Sequence, residues 1–463
     1  MKKFVFGFIS IFMLFSVCFA YEPVITKQVS GKKDLTAKSV VFISGEPIVM
    51  EGTATIKSND KSGSKSKNTS LSLTSDNGDT LSSQINYTIE ATEKSNNQII
   101  ENWKVSSFSE TLKVGSKTYD LTDYEYTRSD VRDQKPIGDY YAGNISFVKT
   151  YTSGNEIVKL VGTGTVYGYN NVWAKNETVR MTYVIQNITN SWSGKASVTV
   201  SDTDQKKIRY SENYPSEISF AGSYILTENN ISTLKYTSEM PEVYGTKVLD
   251  YLTKESDSFK YESFPVQTRL PEYYIKGITG HWGEDAIRKA FSLEFMDEWD
   301  NTDTPDTGVT RAEFAKVMYL LMRLDVKDYT DNEVQYKDVS VNNPYYKYIR
   351  ALTEKGVLVG TGNSRFQPNA IISRAEAITM IINAIGFENR APEAIPILNF
   401  NDANEVPKWA IKYIYMANKI GIVNGNEMGE VMPNKQLTKA EIASICNRLI
   451  TYLTEEMSEE YIK

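Results

Sequence analysis

The sequence predicts a multidomain chain: an all-β N-terminal part, an antiparallel sheet or sandwich over 21–270, followed by an all-α C-terminal part. Three observations carry this. Polar residues alternate with β-branched or aromatic ones in the first half, the period of a strand with one buried face. After Pro265 and Pro271 the apolar period lengthens to three and four, as in Ala286, Ile287, Ala290 and Phe291. Within that second half a short segment then recurs three times. The 463 residues and 52.3 kDa leave room for two to four folded units.

Taken in order, Lys2 and Lys3 precede an apolar run from Phe4 to Phe15, and Ala20 ends a small-residue stretch. Residues 1–20 therefore read as a secretory signal peptide, with the mature chain starting at Tyr21. The alternative is a lipoprotein acylated on Cys18, which bulky Val17 disfavours. No later segment approaches the ~18 apolar residues that cross a bilayer. In Thr178 to Ile185, residues Val179, Met181, Tyr183 and Ile185 share one face and Thr178, Arg180 and Thr182 the other. Similar runs occupy Leu81 to Thr92, Ile157 to Val166 and Ser216 to Thr227. Between strands, Asp76-Asn77-Gly78-Asp79, Val114-Gly115-Ser116-Lys117 and Ser153-Gly154-Asn155 supply hairpin chemistry. Ser58 to Ser70 has no apolar face and is expected to be a mobile loop.

Composition narrows the chemistry. A net charge of −7 argues against global attraction to nucleic acid. One histidine, His281, and two cysteines, Cys18 and Cys446, exclude most His-centred catalysis and multi-Cys metal sites by counting. With the signal removed, Cys446 alone remains, so no intramolecular disulfide forms and packing must stabilise the chain. Residues 21–270 contain neither His nor Cys, which removes Ser-His and Cys-His nucleophiles there. A glycosidase needs only two carboxylates, but no pair stands out. Asp120, Asp123 and Glu125, like Asp130, Asp133 and Asp139, read as solvated loop charges. No cofactor is expected. The acids that could meet calcium, Asp76 with Asp79 and Asp300, Asp303 and Asp306, lack the twelve-residue loop spacing.

The recurring segments are Val309-Thr310-Arg311-Ala312-Glu313, Ile372-Ser373-Arg374-Ala375-Glu376 and Leu437-Thr438-Lys439-Ala440-Glu441, their glutamates 63 and 65 positions apart. Each opens a helical apolar stripe, and a second helix lies upstream, centred on Ile287, Ile349 and Ile414. Thr or Ser followed three residues later by Glu is a capping box. The cation inside it sits in the first helical turn, where the helix dipole opposes it; a bound carboxylate or a neighbouring acid resolves that conflict. Cys446, on the third stripe, reads as a buried core thiol, and His281 as a hydrogen-bonding residue.

The second unit adds Lys355-Gly356-Val357, Gly360 and Phe366-Gln367-Pro368; the third adds Asp402, Trp409-Ala410, Ile420-Gly421-Ile422, Gly425 and Pro433; the first opens with Gly280-His281-Trp282. On these residues, Glu272 to Leu453, about two fifths of the chain, resembles the S-layer homology (SLH) family, with repeats at 272–325, 335–388 and 398–453. The resemblance implies a pseudo-threefold helical bundle that holds exported proteins non-covalently on the cell wall, its ligand a secondary cell-wall polysaccharide often bearing carboxylate-containing pyruvate ketals. It places ligand contacts at Arg311, Arg374, Lys439, Trp282, Trp409, Asp338, Asp402, Gly360 and Gly425. Unit one departs from the pattern. Gly277 stands at the place of the acid, and Glu294 and Glu298 stand at the places of Gly356 and Gly360, so units two and three are expected to be the more competent. No resemblance extends to the β half.

The expectation is a secreted S-layer-type surface protein whose SLH repeats grip wall polymer and whose β domain serves self-assembly, adhesion or contact with other surface proteins. It is expected not to be an enzyme. The alternative is a wall-anchored carbohydrate-active enzyme or glycan-binding module.

Overall fold

The computed structural model describes residues 23–28, 34–61, 64–211, 223–244, 247–297, 299–325, 329 and 336–462. The expected signal peptide and Cys18, most of Ser216 to Thr227, and Glu298 lie outside them. Among the described residues no helix is long and apolar enough to cross a membrane.

The N-terminal half is one antiparallel sheet wound as a meander in strict chain order: β1 (Val24–Gln28), β2 (Leu35–Phe42), β3 (Pro47–Lys61), β4 (Ser64–Thr74), β5 (Thr80–Glu93), β6 (Gln98–Val114), β7 (Lys117–Lys135), β8 (Gly138–Ser153), β9 (Glu156–Asn171), β10 (Lys175–Asn187), β11 (Trp192–Tyr210), β12 (Tyr224–Tyr244) and β13 (Lys247–Glu262), with β14 (Val266–Arg269) also pairing β12. Tight hairpins permit this order; at the β4–β5 turn Gly78 takes φ +85°, a conformation glycine adopts without a steric penalty. The alternation decides which face is buried. Val179, Met181, Tyr183 and Ile185 of β10 point inward, while Arg180 and Thr182 face solvent.

A sheet this wide curls under its own twist, and here it forms a half-barrel whose first strands approach its last. The Tyr261 hydroxyl donates to Glu51 at 2.7 Å, the Lys38 ammonium lies 4.6 Å from the Phe259 ring, and Phe42 meets Tyr236 edge-on at 5.9 Å. Aromatic rings fill the interior, with Phe42 and Phe147 both packing on Tyr183.

Two expectations are corrected here. The described residues of Ser58 to Ser70 are not a loop but the end of β3, to Lys61, and the first part of β4, from Ser64. Their lysines find partners across the sheet, Lys65 on Glu101 at 2.9 Å and Lys67 over the Trp103 ring at 5.6 Å, so the missing apolar face is replaced by ionic and cation–π contacts. Nor are the acids of 120–139 loop charges: Asp120, Asp123, Glu125, Asp130 and Asp133 lie on β7 and Asp139 on β8, and Asp130 is not solvated. It is fully buried and holds Arg128 at 2.7 Å; Arg128 also reaches Glu177 at 3.3 Å and stacks on Trp103 at 4.8 Å. Burial by itself would push the Glu177 carboxyl up, but Arg128 wins and holds it down at about 2. A second buried pair, Lys149 with Glu110 at 3.0 Å, takes hydrogen bonds from Ser83 and Tyr151.

The helical half contains α1 (Glu284–Ser292), α2 (Arg311–Leu321), α3 (Tyr346–Glu354), α4 (Arg374–Ile385), α5 (Ile411–Lys419) and α6 (Lys439–Thr451), then a π-helical turn (Tyr452–Glu456) and α7 (Met457–Ile462). The packing is cyclic: α3 lies on α2, α5 on α4, and α1 returns to lie on α6. The last contact is close, since a Cβ on Gly283 would lie 2.6 Å from that of Ala440.

The proline-bearing linker does not separate two cores. Ile137, Trp173, Tyr224 and Leu226 of the sheet share one apolar cluster with the helices. Asn171 accepts the N–H groups of Trp173 and Ala174 at 2.8 Å each, shaping a turn that presents Trp173 to the bundle. There the indole donates to the Leu321 carbonyl at 3.1 Å and Arg323 covers the ring at 5.3 Å. The Ile137 N–H donates to Ala384 at 3.1 Å, and the Tyr224 hydroxyl donates to Asp285 at 2.5 Å.

Candidate functional site

Three backbone hydrogen bonds close a triangle at the centre of the bundle: Val309 N–H to Leu437, Leu437 N–H to Ile372, and Ile372 N–H to Val309, at 2.9–3.0 Å. The repeated apolar residue just before each capping box thus ties the three units together. All three capping boxes form, on Thr310 with Glu313, Ser373 with Glu376 and Thr438 with Glu441. The remaining first-turn amides are used as well. Arg311 and Ala312 donate to Ala370 and Pro368 of unit two, Arg374 and Ala375 to Lys435 and Pro433 of unit three, and Lys439 and Ala440 to Thr307 and Pro305 of unit one. These amides are therefore spent on the neighbouring unit, and the helix-terminal share of an anion site foreseen from the sequence is absent. The side chains remain as the candidates.

The three cations occupy equivalent places but differ in their partners. Arg311 is the most committed: Nη1 donates to Glu376 at 2.7 Å, Nε to the Phe366 carbonyl at 2.8 Å and Nη2 to the Val359 carbonyl at 3.3 Å, over the Phe366 ring. Lys439 meets Asp303 at 2.5 Å, with the Trp299 ring 5.4 Å away. Arg374 gives Nη2 to Glu441 at 2.7 Å, and Lys435 meets the same oxygen at 2.9 Å, while the buried Arg374 Nε has no acceptor. Burial holds the Arg311 and Arg374 guanidiniums below the ordinary arginine value, against the raising effect of Glu376 and Glu441. The capping glutamates of units two and three thus serve twice, as caps and as counter-ions to the preceding unit. The sequence signals only the first role.

Trp282 and Trp409 stand out from the surface, 64% and 53% exposed, at the starts of α1 and α5. Each borders the junction where its helix lies on the preceding unit, Trp282 beside the Lys439 helix and Trp409 beside the Arg374 helix. His281 accepts the Gly283 N–H on Nδ1 at 3.0 Å, which leaves the neutral ring's proton on Nε2, 3.3 Å from Asp306.

Asp338 and Asp402 face inward as loop clamps. Asp338 accepts the N–H groups of Phe366 and Gln367 at 2.9 and 2.8 Å; Asp402 accepts those of Val431 and Met432 at 2.8 and 2.7 Å. Burial raises the Asp338 carboxyl, but the two amides outweigh it and leave it below its ordinary value. Gly360 and Gly425 lie where a Cβ would crowd the Arg365 carbonyl and Gly429, so their part is to let the loops fold tightly. In unit one Glu294 takes φ +60°, the left-handed conformation of Gly356 and Gly421, so the turn survives its loss of glycine. A side chain there carries the corresponding conformational strain.

The model of the S-layer homology domain matches residues 335–378 and 399–443. The surface-layer 125 kDa protein of Lysinibacillus sphaericus is 28% identical over 149 residues, 32% of this chain and 12% of its own length. The cellulosome-anchoring protein of Acetivibrio thermocellus is 33% identical over 156 residues, 32% of this chain and 34% of its own. The amylopullulanase of Thermoanaerobacterium thermosulfurigenes is 30% identical over 175 residues, 37% and 9%. The chain spans between about a tenth and a third of these relatives' lengths, and the enzyme names among them match through their SLH domains alone. A cyclic bundle of capped helix pairs with these matches defines a class, proteins carrying S-layer homology domains. This chain carries such domains in its C-terminal part, and it is a cell-surface protein of the S-layer type.

Proposed function

We propose that the bundle anchors the protein to the cell wall by binding a secondary cell-wall polysaccharide that bears pyruvate ketals. The observation that carries this reading is an exposed tryptophan at the start of a helix that lies on the cation-bearing, capped helix of the preceding unit, Trp409 at α5 against the Arg374 helix and Trp282 at α1 against the Lys439 helix. An aromatic face suits a sugar ring and a guanidinium suits its carboxylate. The β half is the displayed part, serving assembly or adhesion, and is not an enzyme. In support, four acids inside the sheet, Glu101, Glu110, Asp130 and Glu177, are held by Arg132, Lys149 and Arg128, and buried Asp202 accepts from Asn230 and Ser232. No cofactor belongs to this reading.

The test is co-sedimentation of the full chain with cell-wall sacculi before and after chemical removal of the secondary polymer, with Arg374→Ala and the surface variant Trp409→Ala alongside. Binding should require the polymer and fall at least tenfold in both variants, the loss of one aromatic or charge-assisted contact. Equal sedimentation with stripped walls overturns the reading.

A further inference from the structure

We propose that one of the three junctions, the one where Arg374 of unit two meets unit three, takes the ligand's carboxylate, and that the site continues along α6 into a cavity that receives the neighbouring uncharged sugar. This rests on the wall-polymer reading above and deepens it to a single, two-subsite groove.

Donor and charge balance single out the junction. All three Arg311 nitrogens have acceptors in this chain, and Lys439 is matched by the Asp303 carboxylate, which stands where an acidic ligand would. At Arg374 one glutamate serves two cations, Arg374 and Lys435, and the buried Nε–H has nothing to donate to. Asp402, the other acid near it, spends both oxygens on loop amides. The junction is therefore one acceptor short, at the Arg374 Nε–H. A ligand carboxylate supplies that acceptor and suits the guanidinium.

The extension follows from helix geometry. Glu441, Ser444, Arg448 and Thr451 fall at spacings of three and four, on one face of α6. From Glu441, which holds Arg374, the face runs about 10 Å to Arg448. There it walls a cavity of about 260 Å³ lined by Asp285, Lys289, Ser444, Asn447, Arg448 and Glu456 among others. That is the scale of one sugar ring, below the ~300–1,000 Å³ of sites for larger ligands. Two acids balance two bases, with hydroxyl and amide groups between, so the lining offers donors and acceptors to a neutral polyol and no surplus charge to a second acid. Units one and two cannot repeat it, because the positions equivalent to Arg448 are Leu320 and Asn383.

The experiment is calorimetric titration of the full chain with two probes: a hexosamine glycoside carrying a pyruvate ketal, and the same sugar extended by one uncharged hexosamine. One ligand per chain is expected, with the extended probe binding about tenfold tighter. Arg374→Ala should remove binding of both. In Arg448→Ala, and in Ser444→Phe, which fills the cavity, the ratio between the probes should fall to about one. An unchanged ratio in both variants, or more than one site per chain, overturns the proposal and leaves the anchoring reading intact. Failure of the unaltered chain to bind either probe overturns that reading as well.

Discussion

Arg128, Glu177 and Asp130 show how a residue's role depends on what surrounds it. In the sequence Asp130 reads as a solvated loop charge, and only the folded sheet turns Arg128 and Asp130 of β7 inward to meet Glu177 of β10. The acid dependence follows from the signs. Glu177 sits at about 2 in the fold against an ordinary 4.5, so its contribution is complete above the ordinary value and is lost as pH falls towards 2. Glu101 and Glu110 are depressed too, each raised by burial but overcome by Arg132 and Lys149 respectively. Asp130 is raised by burial and acts in the opposite sense, gaining relative stability in acid. Three groups against one predict that the urea midpoint falls between pH 5 and pH 3, Glu177 accounting for on the order of 2 kcal/mol. In Glu177→Gln the fall should be visibly smaller; an identical fall would mean the pair contributes nothing.

At the scale of elements, the helices were the more legible part. Each capping box was readable from four residues, because caps are local and their hydrogen bonds close within one turn. The packing of α1 on α6 was not, since it joins residues about 157 positions apart in the sequence that no local pattern connects. That contact carries its own prediction. Gly283→Ala forces a methyl against Ala440 and should cost about 1–3 kcal/mol in urea denaturation, the usual cost of overpacking. Ala440→Gly in the same chain should recover part of it. If the double variant is no more stable than the sum of the singles, the close approach is not the cause. The strands were legible where the alternation is apolar, as in β10, and illegible in β3 and β4, where lysines take up the inward and cross-strand contacts instead.

At the scale of the whole molecule the two halves are docked, with Trp173 inserted into the bundle and Tyr224 bonded to α1. The shared apolar cluster predicts that the protein unfolds in one calorimetric transition. Trp173→Ala removes a buried ring and the Leu321 hydrogen bond, at about 3–5 kcal/mol by the usual cost of such truncations, and should split that transition into two. Two transitions already present in the unaltered chain would show that the docking does not couple the halves.

The sequence by itself determined the two classes of structure, the three capping boxes with their three cations, and the tryptophans of units one and three, because periodicity, caps and repeats are properties of neighbours along the chain. Tertiary structure alone decided that Arg311 is saturated, that Lys439 is matched by Asp303 and that Arg374 keeps an unmet donor. These outcomes depend on carbonyls and carboxylates brought in from the next unit. The same holds for the buried ion pairs of the sheet and the shared core between the halves. Charge and packing act across space, and the chain reveals those distances only once it has folded.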